Sequence, residues 1–166
     1  MTDSEKELYR VFKEIGITDY EIHEHPAVFT TEEAKEAGLV MPGLNLKNLL
    51  VKDKKDGRYF LVILTEERRM HEKEFRHLTG WSKIRFATAE ELFSLLQLTP
   101  GSVSPFGLIH DQDHLVSVVL DKRIGRAPEK ELVNFHPNRN TATLSLSKGD
   151  FMKFLHETGN TVFLED

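Results

Sequence analysis

No cysteine occurs among the 166 residues. That excludes disulfides, a thiol nucleophile and thiolate zinc sites, and it fits a reducing cytosol, so the cytoplasm is the expected location. The chain also lacks any run near the roughly 18 apolar residues that cross a bilayer, and its start, Met1-Thr2-Asp3-Ser4-Glu5-Lys6, is too polar for an export signal. A soluble protein without a membrane partner is expected. Positive charge is in deficit: 22 Lys and Arg face 27 Asp and Glu, a formal net charge of −5. Phosphate affinity comes mainly from clustered cations that release counterions, so the balance argues against indiscriminate nucleic-acid binding, no DNA partner is expected, and any RNA contact must be local. Repeats, linkers and low-complexity segments are missing too. One domain over 1–166 is the expectation, a length that buries roughly 70% of its unfolded surface.

The pattern that is present alternates short strands with capped helices. Ser4-x-x-Glu7 reads as a capping box, and Leu8, Val11, Phe12 and Ile15 share one face before Gly16, so the chain opens with an amphipathic helix. A strand over 20–24 precedes a short helix begun by Thr30-x-x-Glu33 and stopped at Gly38. Apolar runs over 46–51 and 59–65 flank Asp53-Lys54-Lys55-Asp56-Gly57 as a hairpin, and helices follow over 72–79 and after Thr88, with Glu91 completing a second box. Residues 106–109 and 115–120 read as another hairpin around Asp111-Gln112-Asp113, and 132–136 and 141–146 as two more strands, before a helix capped by Ser147 and closed by Gly159. Strands outnumber helices and short turns join many of them, which predicts an α+β fold with a mixed, largely antiparallel sheet and helices around it.

Three stretches carry chemistry. In Gly43-Leu44-Asn45-Leu46-Lys47-Asn48-Leu49-Leu50-Val51-Lys52-Asp53, a lysine in a strand buried on both faces requires a partner, a water-lined cavity or a function. Strand alternation turns Asn48 to the other face, so both line one site only if the strand twists or ends there. In Pro100-Gly101-Ser102-Val103-Ser104-Pro105-Phe106-Gly107, Gly101 permits close backbone approach and Pro105 stiffens the exit. Neither serine has the glycine two residues on that a nucleophile elbow requires, so the loop offers backbone amides or carbonyls instead of a catalytic hydroxyl. Asn134-Phe135-His136-Pro137-Asn138-Arg139-Asn140-Thr141-Ala142-Thr143 supplies an imidazole and amides. Taken singly, Lys47 also reads as a lysine snorkelling from a strand edge, and His136 as a satisfied structural histidine. No metal site is expected, because His71 and His77 lie six residues apart and face away from each other on a helix, while 110–114 reads as a polar hairpin tip. Two basic clusters, one with Lys52 and Lys54 and one with Arg68 and Arg69, are candidate RNA contacts, beside the reading of each as a solvated charged surface.

In this order and spacing, together with His23-Glu24-His25-Pro26-Ala27-Val28, the three stretches resemble the prolyl-tRNA editing-domain family of YbaK- and ProX-type proteins and the insertion domain of bacterial prolyl-tRNA synthetases. The resemblance implies that family's sheet, curled towards a barrel with helices outside. It implies hydrolysis of the ester of a mischarged tRNA(Pro), without a cofactor, by water aided by backbone donors, Lys47 and the substrate's ribose hydroxyl. Lys47, Gly101 and His136 are then the expected catalytic set, with Asn48, Ser102, Val103, Pro105 and Asn140 binding substrate. The expected partner is the acceptor end of tRNA(Pro), with transient association with prolyl-tRNA synthetase. Likeness to ProX-type members over 45–53 and 101–107 points to alanyl-tRNA(Pro). The alternatives are a cysteinyl-tRNA(Pro) deacylase of YbaK type and a non-catalytic RNA- or nucleotide-binding module.

Overall fold

Capping and alternation set most element boundaries. The structure, a computed structural model, describes residues 1–27, 31–36, 38 and 41–166. In chain order its elements are α1 (Asp3–Ile15), β1 (Tyr20–Glu24), α2 (Thr31–Glu36), β2 (Leu44–Asp53), β3 (Tyr59–Thr65), α3 (Glu72–Thr79), β4 (Ile84–Phe86), α4 (Ala89–Leu96), a 3₁₀ turn (Pro105–His110), β5 (Val116–Leu120), α5 (Lys122–Gly125), β6 (Leu132–Phe135), β7 (Ala142–Ser147), α6 (Lys148–Thr158) and β8 (Val162–Leu164). The strands form one mixed sheet in the order β1-β7-β6-β2-β3-β5-β8, with β4 attached to β2. The β1–β7, β7–β6, β2–β3 and β2–β4 pairs are antiparallel; β2–β6, β3–β5 and β5–β8 are parallel. This is the mixed, mostly antiparallel α+β architecture expected, with the sheet left open between β1 and β8.

Each face of the sheet has its own core. On one face Leu50, Leu61, Ile63, Val133, Phe135 and Leu144 pack under Leu8 and Phe12 of α1, Leu92 and Leu96 of α4, Phe106, and Phe151 and Phe154 of α6. On the other, Val51, Phe60, Val62 and Leu64 meet Phe75 of α3 and Trp81, whose indole N–H donates to the Glu72 carbonyl at 2.9 Å. Phe60, Leu61, Val62, Ile63 and Leu64 are wholly buried, which is why β3 reads as a continuous apolar run. Among the described residues no helix is long and apolar enough to cross a membrane.

The structure corrects two local expectations. The first capping box joins Thr2 and Glu5, because the Ser4 hydroxyl is held by His110 Nε2 at 2.8 Å and Asn138 Nδ2 at 3.0 Å. The expected hairpin over 106–109 and 115–120 does not form. Ser104 Oγ accepts from Phe106 N at 3.1 Å and Pro105 follows the cap, so turn chemistry overrides the apolar pattern and 105–110 winds as a 3₁₀ turn. Buried Asp111 then accepts from Leu115 N, Val116 N and Asn160 Nδ2, and steers β5 into the sheet parallel to β3. Thr30 lies outside the described residues; the helix it was expected to cap spans Thr31–Glu36.

Candidate active site

Strand β2 pairs with β3 without a break from Leu46 to Lys52, so its side chains alternate strictly. Lys47 and Leu49 stand on the α3 face, Asn48 and Leu50 on the face of the larger core. The other edge of β2 is different. It pairs with β6 only at Leu44 and Asn45 and with β4 from Val51 onwards, and Ala87 N donates to Leu50 O at 2.9 Å. Among the described residues, 46–49 have no strand partner on that edge. Since Asn45 O and Asp53 N both face β3 and Leu50 O faces β4, backbone alternation directs the N–H and C=O of Asn48 into this gap. The groove beside Lys47 is lined by neither Asn48, the 101–105 loop nor His136, so what lies between the two faces of β2 here is the unpaired stretch of its edge.

Lys47 is half-buried, not enclosed on both sides as a continuous apolar strand would have it. No ion pair or hydrogen bond joins its ammonium to any described residue, and it borders a groove of about 550 Å³ with Leu49, Arg69, Met70, His71, Glu72, Ile84 and Phe86. Asn48 has a buried Oδ1 without a hydrogen-bond partner among the described residues. A buried acceptor left unpaired is costly, so such an atom is suited to receive a donor from outside the chain.

His136 stands two residues beyond the Asn45–Asn134 pair, as Lys47 does, and therefore shares its face of the sheet. Its Nδ1 lies 2.8 Å from the Ala142 carbonyl, which only accepts, so the neutral ring carries its proton there and keeps the Nε2 lone pair. Burial holds the imidazole pKa below its usual range; the neighbouring His25 adds to this, and the Ala142 carbonyl opposes it. His25 lies 6.1 Å away, ring centre to ring centre. It donates from Nδ1 to Pro26 O and accepts at Nε2 from Thr143 Oγ1, both at 2.8 Å. Two residues behind this pair, Asn134 Nδ2 donates to Asn45 Oδ1 at 3.1 Å and Pro42 O at 2.9 Å, and Ser145 Oγ donates to its amide oxygen.

The glycine loop belongs to the larger core. Gly101 adopts φ +90°, a conformation that side-chain-bearing residues rarely take. Ser102, Ser104 and Pro105 are buried, Val103 packs on the core, and Ser102 N closes a turn on Thr99 O at 3.0 Å. The loop thus shares the Asn48 side of the sheet, while Asn140 is half-buried in the turn after His136. That turn is anchored by Arg139, which pairs with buried Glu5 of α1 at 2.6 Å and with Glu24 of β1 at 2.6 Å.

The four candidate RNA cations differ in what they already hold. Arg68 is engaged by Glu165 at 2.6 Å, Glu74 at 3.0 Å and Asp121 at 3.2 Å, and lies over the Phe75 ring. Lys52 lies 3.6 Å from Glu91 and over Tyr59, on the opposite face from Lys47. Lys54 is exposed at the hairpin tip, and Arg69 is exposed in the groove with no partner among the described residues.

A family model for the aminoacyl-tRNA editing domain matches residues 25–154, from His25 through Lys47, the glycine loop and His136. The chain belongs to that family. Prolyl-tRNA editing protein ProX of Acetoanaerobium sticklandii is 35% identical over 144 residues, 86% of this chain and 85% of its own. Prolyl-tRNA synthetase associated domain-containing protein 1 of Danio rerio is 34% identical over 159 residues, 96% of this chain and 85% of its own. A crystal structure of a candidate trans-editing enzyme for prolyl tRNA synthetase shares the fold, with a TM-score of 0.73 at 23% identity over 98% of this chain and 96% of that one.

Within this editing domain, sequence reasoning singled out Lys47 and His136 but missed His25, Thr143, Met70, His71 and Phe86 as their neighbours. His25 was within reach: it is opposite Thr141, whose alternation with Thr143 and His136 follows from strand parity once β1 is paired with β7. The groove residues come from three separate elements, and no local pattern joins them.

Proposed function

We propose that this protein is a trans-acting aminoacyl-tRNA deacylase that hydrolyses alanyl-tRNA(Pro). The observation that carries the reading is the ammonium of Lys47, unpaired among the described residues, at the gap in β2 and on the same face of the sheet as an imidazole whose Nε2 keeps its lone pair. Membership in the editing-domain family and the likeness to ProX support the choice of substrate.

Water adds through its oxygen to the ester carbonyl carbon, the bond to the ribose oxygen breaks, and free alanine and a tRNA with its terminal hydroxyl restored result. His136 Nε2 accepts a hydrogen bond from the attacking water. Lys47 and the backbone N–H of Asn48 face the carbonyl oxygen as charge develops on it, the type of fixed donor that contributes most to ester cleavage. Asn48 Oδ1 and the carbonyls of 101–105 are acceptors for the alanyl ammonium on the other side of the gap. A synthetase cannot strongly reject a residue smaller than its own, since a missing methylene is worth only about 1–3 kcal/mol, and a second pocket that admits only the small product removes the error. Released mischarged tRNA, or tRNA passed from prolyl-tRNA synthetase in a transient encounter, is the substrate form.

The test is hydrolysis of a panel of labelled aminoacyl-tRNAs. Alanyl-tRNA(Pro) is expected to be cleaved readily, seryl esters partly and prolyl-tRNA(Pro) hardly at all. Equal rates on alanyl- and prolyl-tRNA(Pro) defeat the editing assignment, and preference for cysteinyl-tRNA(Pro) moves the protein to the YbaK type.

A further inference from the structure

Beyond Lys47, the groove continues along β2 towards β4. Phe86 is paired with Val51 and Ile84 with Asp53, so both lie on the Lys47 face. Val51 stands four positions beyond Lys47, about 13 Å at roughly 3.3 Å per residue, which is longer than a terminal nucleoside alone needs. The floor is apolar, made by Leu49, Ile84, Met70 and a Phe86 that is 63% exposed. Its rim is cationic. Arg69 and Lys47 have no ion pair among the described residues, and His71 is exposed with no side-chain capping bond. Glu72 is the acidic member of the lining, and its carboxylate is spent on Arg76 Nη2 at 3.2 Å and Ile84 N at 3.1 Å. On a molecule of net charge −5, this leaves a local excess of positive charge beside an uncovered aromatic ring.

We propose that this groove holds the single-stranded 3′ end of tRNA, the nucleotides just before the esterified terminal adenosine, with a base stacked on Phe86 and a phosphate on Arg69. The proposal rests on the deacylase reading only for the direction of the strand, since that reading puts the ester at Lys47. An exposed ring beside an unpaired guanidinium is the combination that binds unpaired nucleotides without reading their sequence. A duplex stem offers its phosphates but no base face, and leaves Phe86 without a partner.

The experiment measures binding of two uncharged RNA minihelices, one with a 3′ ACCA tail and one blunt-ended, by fluorescence anisotropy over a range of salt. Arg69→Ala is expected to weaken binding of the tailed minihelix at least about fivefold and to reduce the slope of log K against log salt by about 0.7, the loss of one single-strand phosphate contact. Phe86→Ala and Phe86→Leu are expected to weaken it at least about fivefold with the slope retained. Lys153→Ala, on exposed α6 surface, serves as the control that leaves binding as it was. Arg69 and Phe86 are both exposed, and thermal melts of each variant verify the fold. Unaltered affinity in the groove variants, or equal losses on tailed and blunt RNA, overturns the proposal. Because the RNA carries no ester, the readout is separate from catalysis: the expected binding pattern without deacylation of any aminoacyl-tRNA retains the groove and sinks the deacylase reading.

Discussion

At residue scale the decisive contrast is between Lys47 and its neighbours Lys52 and Arg68. All are cations on or near the same sheet, yet only Lys47 is left without a carboxylate among the described residues. Lys47→Ala is therefore expected to leave the melting temperature unchanged while single-turnover deacylation falls roughly 10²-fold, the scale of losing one fixed donor to a developing oxyanion. Lys47→Arg is not expected to restore the rate, since a planar fork differs from a compact ammonium. Wild-type turnover by Lys47→Ala returns the residue to a simple strand-edge lysine. His136 gives a pH signature. Burial lowers its pKa, so the neutral base persists below the ordinary imidazole value of about 6.5, and activity is expected to hold to lower pH than a solvent-exposed histidine allows. The unfolded chain takes up the proton first, so this group's contribution to stability is lost as pH falls below about 6.5. A rate profile that His136→Ala leaves unaltered removes the residue from the reaction.

Two elements fix the site. In the loop after α4, Gly101 has φ +90°, so Gly101→Val must shift the backbone as well as add bulk. Catalysis is expected to suffer more than tRNA binding, since the proposed RNA groove lies on the other face; equal losses in affinity and single-turnover rate mark the loop as general scaffold. The turn after His136 depends on Arg139. Burial alone raises the Glu5 carboxyl, but hydrogen bonds from Arg139 and Tyr9 outweigh it and hold it below the usual carboxylate range. A depressed carboxylate stabilises the fold above its unfolded value, near pH 4.3, and that contribution is lost as pH drops through the folded value. Arg139→Ala leaves Glu5 buried without its cation and is expected to cost about 3 kcal/mol by urea denaturation at pH 7. A loss under about 0.5 kcal/mol marks the pair as ordinary surface charge.

The same elements show what sequence could carry. Helices with complete caps, such as α4 behind Thr88 and Glu91, and the β2–β3 hairpin were legible because their signals are local. The 3₁₀ turn was not, since Phe106, Leu108 and Ile109 have strand composition and only the Ser104-Pro105 cap decides otherwise. Ser4 failed as a cap for a non-local reason: its hydroxyl is claimed by His110 and Asn138, more than 100 residues away in the chain. At the site, alternation correctly separated Lys47 from Asn48. What local patterns could not show is the missing stretch of pairing on the β2 edge between β6 and β4, a property of strands far apart in sequence.

For the whole molecule, the short β2–β6 pairing has a consequence for how the protein opens. Among the described residues only the Leu44–Val133 and Asn45–Asn134 strand pairs join the β1-β7-β6 group to the rest of the sheet, whereas β2 and β3 share seven paired positions from Leu46–Thr65 to Lys52–Tyr59. Cooperative units of different stability open separately, and the weaker junction sets where the first partial unfolding occurs. If this junction opens before the core that the two groups share, His136 parts from Lys47 while the β2–β3 ladder stays intact. Amides of β6 and β7 are thus expected to exchange with deuterium sooner than those of β3, and Asn134→Ala, which removes the side-chain clasp to Asn45 and Pro42, is expected to speed exchange of β6 and β7 with little change in β3. Uniform exchange across both groups, in the parent and the variant, means that the sheet opens as one unit. The protein would then lose its active site only by unfolding altogether; with a separable group, mild heat silences the enzyme reversibly before its core melts.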